Sequence, residues 1–119
     1  MTHTQPPQSL TDAQYFVLTS SVLDGIEKTV DAWLDADVID IDTHRTGGLL
    51  ELSFPDGSKI VINTQPPLHE LWLASRSGGY HFHWADGQWL SREGREFHAL
   101  LSAQASAQSG ASLVFAAPQ

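Results

Sequence analysis

Seven of the fourteen acidic residues, Asp24, Glu27, Asp31, Asp35, Asp37, Asp40 and Asp42, fall within residues 24–42, a span whose single base is Lys28. That segment carries −6, whereas the remaining seven acids and five bases net only −2, so the excess charge is local. Carboxylates at this density repel one another unless a cation or a basic partner offsets them. Oxygen donors without thiolates suit hard cations such as Fe2+, Fe3+, Mn2+, Ca2+ or Mg2+, and exposed sites of this kind would be weak and exchangeable. The competing reading of the same residues is a solvated helix face kept acidic for solubility. The spacing is not that of an EF-hand loop, which needs a central Gly and a terminal Glu, and no helix carries the Glu-x-x-His pair of a di-iron bundle.

The other residue types suited to chemistry are sparser. His81 and His83 stand two apart on a predicted strand and so share a face, but no third ligand is identifiable beside them. His69-Glu70 has no second His four residues on and is read as structural or as a polar surface residue. No G-x-S-x-G elbow, Walker A loop or G-x-G-x-x-G fingerprint occurs, and Gly47-Gly48 and Gly78-Gly79 are read as turns. Strand alternation in Leu71-Trp72-Leu73 turns both leucines to one face and Trp72, with Glu70 and Ala74, to the other. If the leucines face the core, Trp72 is exposed as an interface anchor, with Asn63 and Gln65 as polar neighbours.

These residues need a scaffold, and the pattern supplies one. Residues 1–10, with Pro6 and Pro7, read as a flexible tail. Thr11 and Gln14 have capping-box spacing, and Tyr15, Leu18, Val22, Ile26, Val30 and Trp33 recur at helical steps, predicting a helix over roughly 12–34. At 100° per residue Asp24, Glu27, Asp31 and Asp35 form a narrow stripe away from that apolar face. From Val38 the period shifts to alternation, with Val38, Ile39 and Ile41 interleaving with Asp40 and Asp42, which predicts a strand running up to the Thr46-Gly47-Gly48 turn. Strands follow over 49–54, 59–63, 68–75, 80–85 and 88–90, separated by Asp56-Gly57, Ser77-Gly78-Gly79 and Asp86-Gly87 turns. A second helix is predicted from near Arg95 to Gly110. Helix, meander, helix is the order of an α+β two-layer sandwich, two helices on one face of a five- to six-stranded antiparallel sheet. The domain is placed at 11–109, with 110–119 as an extension in which Leu113-Val114-Phe115 either adds an edge strand or covers the groove between the helices.

The 119 residues suffice for one domain, and a formal charge of −8 argues against a nucleic-acid partner. The absence of cysteine excludes disulfides, a thiolate nucleophile and sulfur-held clusters. No stretch approaches the roughly 18 apolar residues of a membrane span, and the first residues lack a basic n-region. The expected setting is the cytoplasm, away from membranes.

The run from Gly47-Gly48-Leu49 to Phe54, Asp56-Gly57-Ser58-Lys59, Ile62-Asn63, Gln65, Pro67-Leu68-His69, Leu71-Trp72-Leu73-Ala74 and Gly78-Gly79-Tyr80-His81-Phe82 resembles the bacterial frataxin (CyaY) family. The resemblance covers roughly residues 12–105 and includes the acidic first helix. It implies an iron-binding regulator, not an enzyme, that acts in iron–sulfur cluster assembly, docking on the cysteine desulfurase and scaffold complex according to iron supply. The alternative implied by the family is a ferroxidase or iron-storage and iron-donor protein. By the same resemblance Fe2+ or Fe3+ is held weakly by Glu27, Asp31, Asp35, Asp37, Asp40 and Asp42, with Asp24 as an extension. Asn63, Gln65 and Trp72 form the partner-binding sheet face, and the protein is a monomer that iron can drive into oligomers. Lys28, Ala32 and Leu34 stand where the family often carries acids or polar residues, which thins the ridge.

Overall fold

The computed structural model describes residues 9–118. Helix α1 spans Asp12–Asp35 and opens with the predicted capping box: Gln14 N–H donates to Thr11 Oγ1 at 3.1 Å and Thr11 N–H to Gln14 Oε1 at 2.9 Å. Six strands follow: β1 (Asp42–Thr46), β2 (Leu49–Ser53), β3 (Lys59–Gln65), β4 (Glu70–Ser75), β5 (Gly78–Ala85) and β6 (Gln88–Ser91). They form one antiparallel sheet in sequence order, so β1 and β6 are its two edges. Helix α2 spans Phe97–Ser109, capped by the Glu96 carboxylate, which accepts from His98 N–H and Ala99 N–H.

One core joins the layers. Leu50, Leu52, Ile60, Ile62, Leu71, Leu73 and Phe82 of the sheet meet Tyr15, Val22, Leu23, Ile26 and Val30 of α1 and Phe97, Leu100, Leu101 and Ala105 of α2. Each of these is less than about a twentieth exposed, which is the burial that makes period-2 strands and a 3.6-period helix fit one another. Among the described residues no helix covers the opposite face of the sheet. Tyr15 ties the start of α1 to the sheet: its O–H donates to the Glu70 carbonyl and it accepts from Gln65 N–H at 2.9 Å.

Two local differences from the sequence expectation have identifiable causes. The residues 38–41 are not strand, and β1 begins at Asp42. Helix α1 ends in a Schellman motif, with Asp37 N–H on the Leu34 carbonyl, Val38 N–H on the Trp33 carbonyl and Asp37 itself left-handed at φ 57°. The chain must then reverse over Val38–Ile41, and Ile41 is buried as it does so. The strand expected over 68–75 starts at Glu70, because Pro66–Leu68 form a 3-10 turn that His69 closes at φ 50°. The sheet has six strands, within the five to six expected, and the last of them, β6, though only four residues long, pairs fully with β5.

The hairpin between β1 and β2 turns on Gly47 and Gly48. A Cβ on Gly48 would lie 1.9 Å from Thr64 Oγ1, so this residue is glycine because β3 passes directly against it.

The expected tail falls largely on residues 1–8, outside the described residues, while Leu10 packs against the core. Of the two places left open for Leu113-Val114-Phe115, the structure takes the groove. Leu113 N–H donates to Ser106 Oγ and Phe115 N–H to Ser102 Oγ, at 2.9 and 2.8 Å, strapping an extended segment along α2. Phe115 meets Trp33 of α1 edge-on, ring centroids 4.8 Å apart, and both Leu113 and Phe115 are buried. Among the described residues no helix is long and apolar enough to cross a membrane.

Candidate metal and partner surface

The edge strand β1 runs back along α1, and this places the acids of both elements on one side of the molecule. Asp24, Asp31 and Asp35 are exposed on α1 and Glu27 is half-buried there; Asp37 and Asp40 are exposed in the connection, and Asp42 is exposed at the first position of β1. From Glu27 to Asp35 the helix advances about 12 Å, so the acids form a ridge and not a cluster around one point. Among the described residues no three His, Cys, Asp or Glu side chains converge as a metal site would require. The ridge therefore offers one or two carboxylates at a time, with water completing any coordination sphere, as suits weak binding of a hard cation.

Arg45 changes the chemistry at one end of that ridge. It lies on the helix side of β1, opposite Leu50, and its Nη1 donates to Asp24 Oδ1 and Glu27 Oε1, each at 2.6 Å. These hydrogen bonds, to Asp24 first and then Glu27, raise the guanidinium pKa above its ordinary value. Two of the seven predicted ligands thus already have a cation, and the stretch left open is Asp31, Asp35, Asp37, Asp40 and Asp42. Sequence reasoning missed Arg45 because it lies 21 and 18 residues from its partners. The only signal was that it is the first base after the acidic run.

The second surface is the uncovered sheet face. Leu71 and Leu73 are buried, so the alternation assigns Trp72 to the open side, where it is half-buried. In the sheet it stands opposite Asn63 of β3 and opposite His81 of β5. Gln65 lies two residues on from Asn63 along the same strand face, so the three expected partner residues share one face. The Trp72 Nε1–H donates to Glu70 Oε1 at 2.8 Å, and its ring stacks on His81 at 4.0 Å with 6° between planes. His81 and His83 do share this face, as their spacing predicted; His81 is committed to the Trp72 ring, and His83 stands opposite Glu70. Of the two readings left open for His69, structural or polar surface residue, the fold shows the first: its ring stacks on Tyr15 and its Nε2 lies 2.8 Å from Asp12 Oδ1.

A two-helix, six-stranded α+β sandwich with an acidic α1–β1 edge and an aromatic open sheet face defines the class of small carboxylate-ridged domains. Comparison with known proteins narrows this class. The family described as "Frataxin-like domain" matches residues 8–111. The iron-sulfur cluster assembly protein CyaY of Cupriavidus taiwanensis is 46% identical over 111 residues, covering 92% of this chain and 98% of that one. Frataxin from Psychromonas ingrahamii superposes with a TM-score of 0.80 at 32% identity, over 90% of this chain and 99% of that one. Trimeric frataxin of the yeast Saccharomyces cerevisiae, complexed with ferrous, matches with a TM-score of 0.62 at 27% identity, over 88% and 91%. This chain belongs to the frataxin family, in the branch whose members carry the name CyaY.

Proposed function

We propose that this protein binds Fe2+ or Fe3+ on its acidic ridge and works in iron–sulfur cluster assembly as an iron-responsive regulator. The open carboxylates Asp31, Asp35, Asp37, Asp40 and Asp42 carry the metal, with Asp24 and Glu27 as the arginine-capped end of the same ridge. The protein docks on the cysteine desulfurase and its scaffold through ridge charge and through Asn63, Gln65 and Trp72. It works as a monomer, and iron bridging between ridges drives oligomers.

The observation that carries this reading is the separation of charge and aromatic surface. Residues 24–42 carry a net −6, offset at one end by Arg45, while the open sheet face presents a half-buried Trp72 between Asn63 and His81. Such a pair suits a partner with a basic patch beside an apolar one: charge sets the encounter rate, the aromatic sets the lifetime. The name borne by the Cupriavidus relative supports the process, and the yeast frataxin complexed with ferrous supports the metal. The reaction needs no enclosed pocket, because iron exchange and docking both occur at solvent-facing carboxylates.

The test is the Asp31→Asn, Asp35→Asn, Asp40→Asn triple variant, followed by backbone amide spectra during an Fe2+ titration. Iron broadens or shifts residues 31–42 in the wild type, and the variant loses this while keeping its fold, since exposed like charges contribute little or negatively to stability. Iron-dependent changes that persist unaltered in the variant refute the site.

A further inference from the structure

We infer that His81 and Glu70 are positioning residues for Trp72, holding its indole in one orientation so that the sheet face is preformed for docking. This rests on the docking surface proposed above and adds to it two residues not previously assigned there. An indole on an open sheet face has two side-chain torsions to fix. Here each is restrained by a different neighbour: the ring plane lies parallel to the His81 imidazole, 4.0 Å away and 6° from coplanar, and the Nε1–H is tied at 2.8 Å to Glu70 Oε1. A flat stack limits rotation about the first torsion, and a hydrogen bond to the ring edge limits flipping about the second.

The sheet itself fixes the restraining groups. His81 is the direct cross-strand partner of Trp72, so the two Cβ atoms stand side by side on the open face, while their strand neighbours Leu71, Leu73 and Phe82 anchor both strands in the core. Glu70 is two residues before Trp72 on the same strand and face, and its backbone carbonyl is held by the buried Tyr15 hydroxyl. The restraint thus runs from the core through two strands to an exposed ring. His81 is itself exposed, so its role cannot be one of core packing.

A fixed aromatic binds better than a free one, because immobilising a mobile side chain at an interface reduces affinity by a factor of about five to ten. Two measurements separate the positioning role from the docking role. The first uses the protein alone: 15N relaxation of the Trp72 Nε1–H in the wild type, His81→Ala, His81→Phe and Glu70→Gln. His81→Ala raises the mobility of that indole, whereas His81→Phe, which keeps a flat ring, and Glu70→Gln, which keeps an acceptor, leave it near wild type. The second measures binding of the same variants and of Trp72→Ala to immobilised cysteine desulfurase with scaffold. His81→Ala weakens binding about fivefold or more with an unchanged melting temperature, and His81→Phe restores it. Unchanged Trp72 mobility in His81→Ala overturns the inference, as does unchanged binding by His81→Ala when Trp72→Ala binds weakly. If Trp72→Ala binds as wild type, the docking surface itself is wrong and the inference falls with it.

Discussion

Replacing Arg45 by Gln exposes the balance struck at the end of the ridge. The wild-type guanidinium makes two charge-assisted hydrogen bonds of 2.6 Å, to Asp24 and Glu27. A buried bond of this type contributes about 1.5–3 kcal/mol, and an exposed ion pair about 0.2–1 kcal/mol. With side-chain exposures of 28% for Arg45, 56% for Asp24 and 32% for Glu27, the pairs lie nearer the exposed limit. Together they are worth about 1 kcal/mol at low salt, to which the variant adds unrelieved repulsion between the two acids. For a domain of this size that is a fall of roughly 4 °C in melting temperature. The assay is thermal and urea unfolding in 20 mM and 500 mM NaCl, repeated with millimolar Mn2+ as a redox-inert stand-in for Fe2+. The deficit shrinks at high salt, and Mn2+ stabilises the variant more than the wild type because the vacated acid pair accepts it. A variant as stable as wild type at low salt, or a deficit indifferent to both salt and metal, refutes the reasoning that Arg45 acts as the counter-ion there.

Three further outcomes follow from the fold. Tyr15→Phe strands the Gln65 N–H and the Glu70 carbonyl and lowers unfolding free energy by about 1–3 kcal/mol in urea titrations, with m unchanged. Burial, with the Glu70 charge, also raises the Tyr15 pKa above 10.0, so its contribution is complete below pH 10 and lost as pH rises through the higher folded value; the Phe variant lacks this alkaline component. Phe115→Ala leaves a void against Trp33 and costs about 3 kcal/mol, read as a lower urea midpoint, whereas the exposed neighbour change Val114→Ala leaves it within error. Finally, the Ser58 hydroxyl, the Ser58 N–H and the Arg76 guanidinium hold the Asp56 carboxyl down to about 2. Its contribution is present above the ordinary value of 3.8 and lost as pH falls through about 2, so Asp56→Asn flattens the melting temperature between pH 4 and 2.

The sequence made most of the scaffold legible because most of its signals are local. The Thr11–Gln14 box, the Asp-Gly turns and the alternation through Leu71-Trp72-Leu73 each depend on residues within four positions of one another, and each stands in the structure where it was read. Val38–Ile41 misled because alternation records which side chains face inward and says nothing about hydrogen bonding; Ile41 is indeed buried, but in a reversal forced by the Schellman end of α1. The acids of the ridge were visible as composition. Their division by Arg45 was not, nor was the Trp72–His81 stack, since the first depends on β1 lying beside α1 and the second on the register of β4 against β5. The strap at Leu113 and Phe115 was undecidable for the same reason: its partners, Ser102, Ser106 and Trp33, become neighbours only when the helices are side by side.

The central claim is that the open ridge couples iron supply to cluster assembly. The most direct measurement is cluster formation by reconstituted cysteine desulfurase and scaffold across an iron series, with wild-type protein and with the Asp31/Asp35/Asp40→Asn variant at equal concentration. The account predicts that the wild type changes the rate in an iron-dependent way and that the variant, though folded, does not. Equal rates with and without the wild-type protein at every iron concentration, or an effect the variant fully retains, would contradict it.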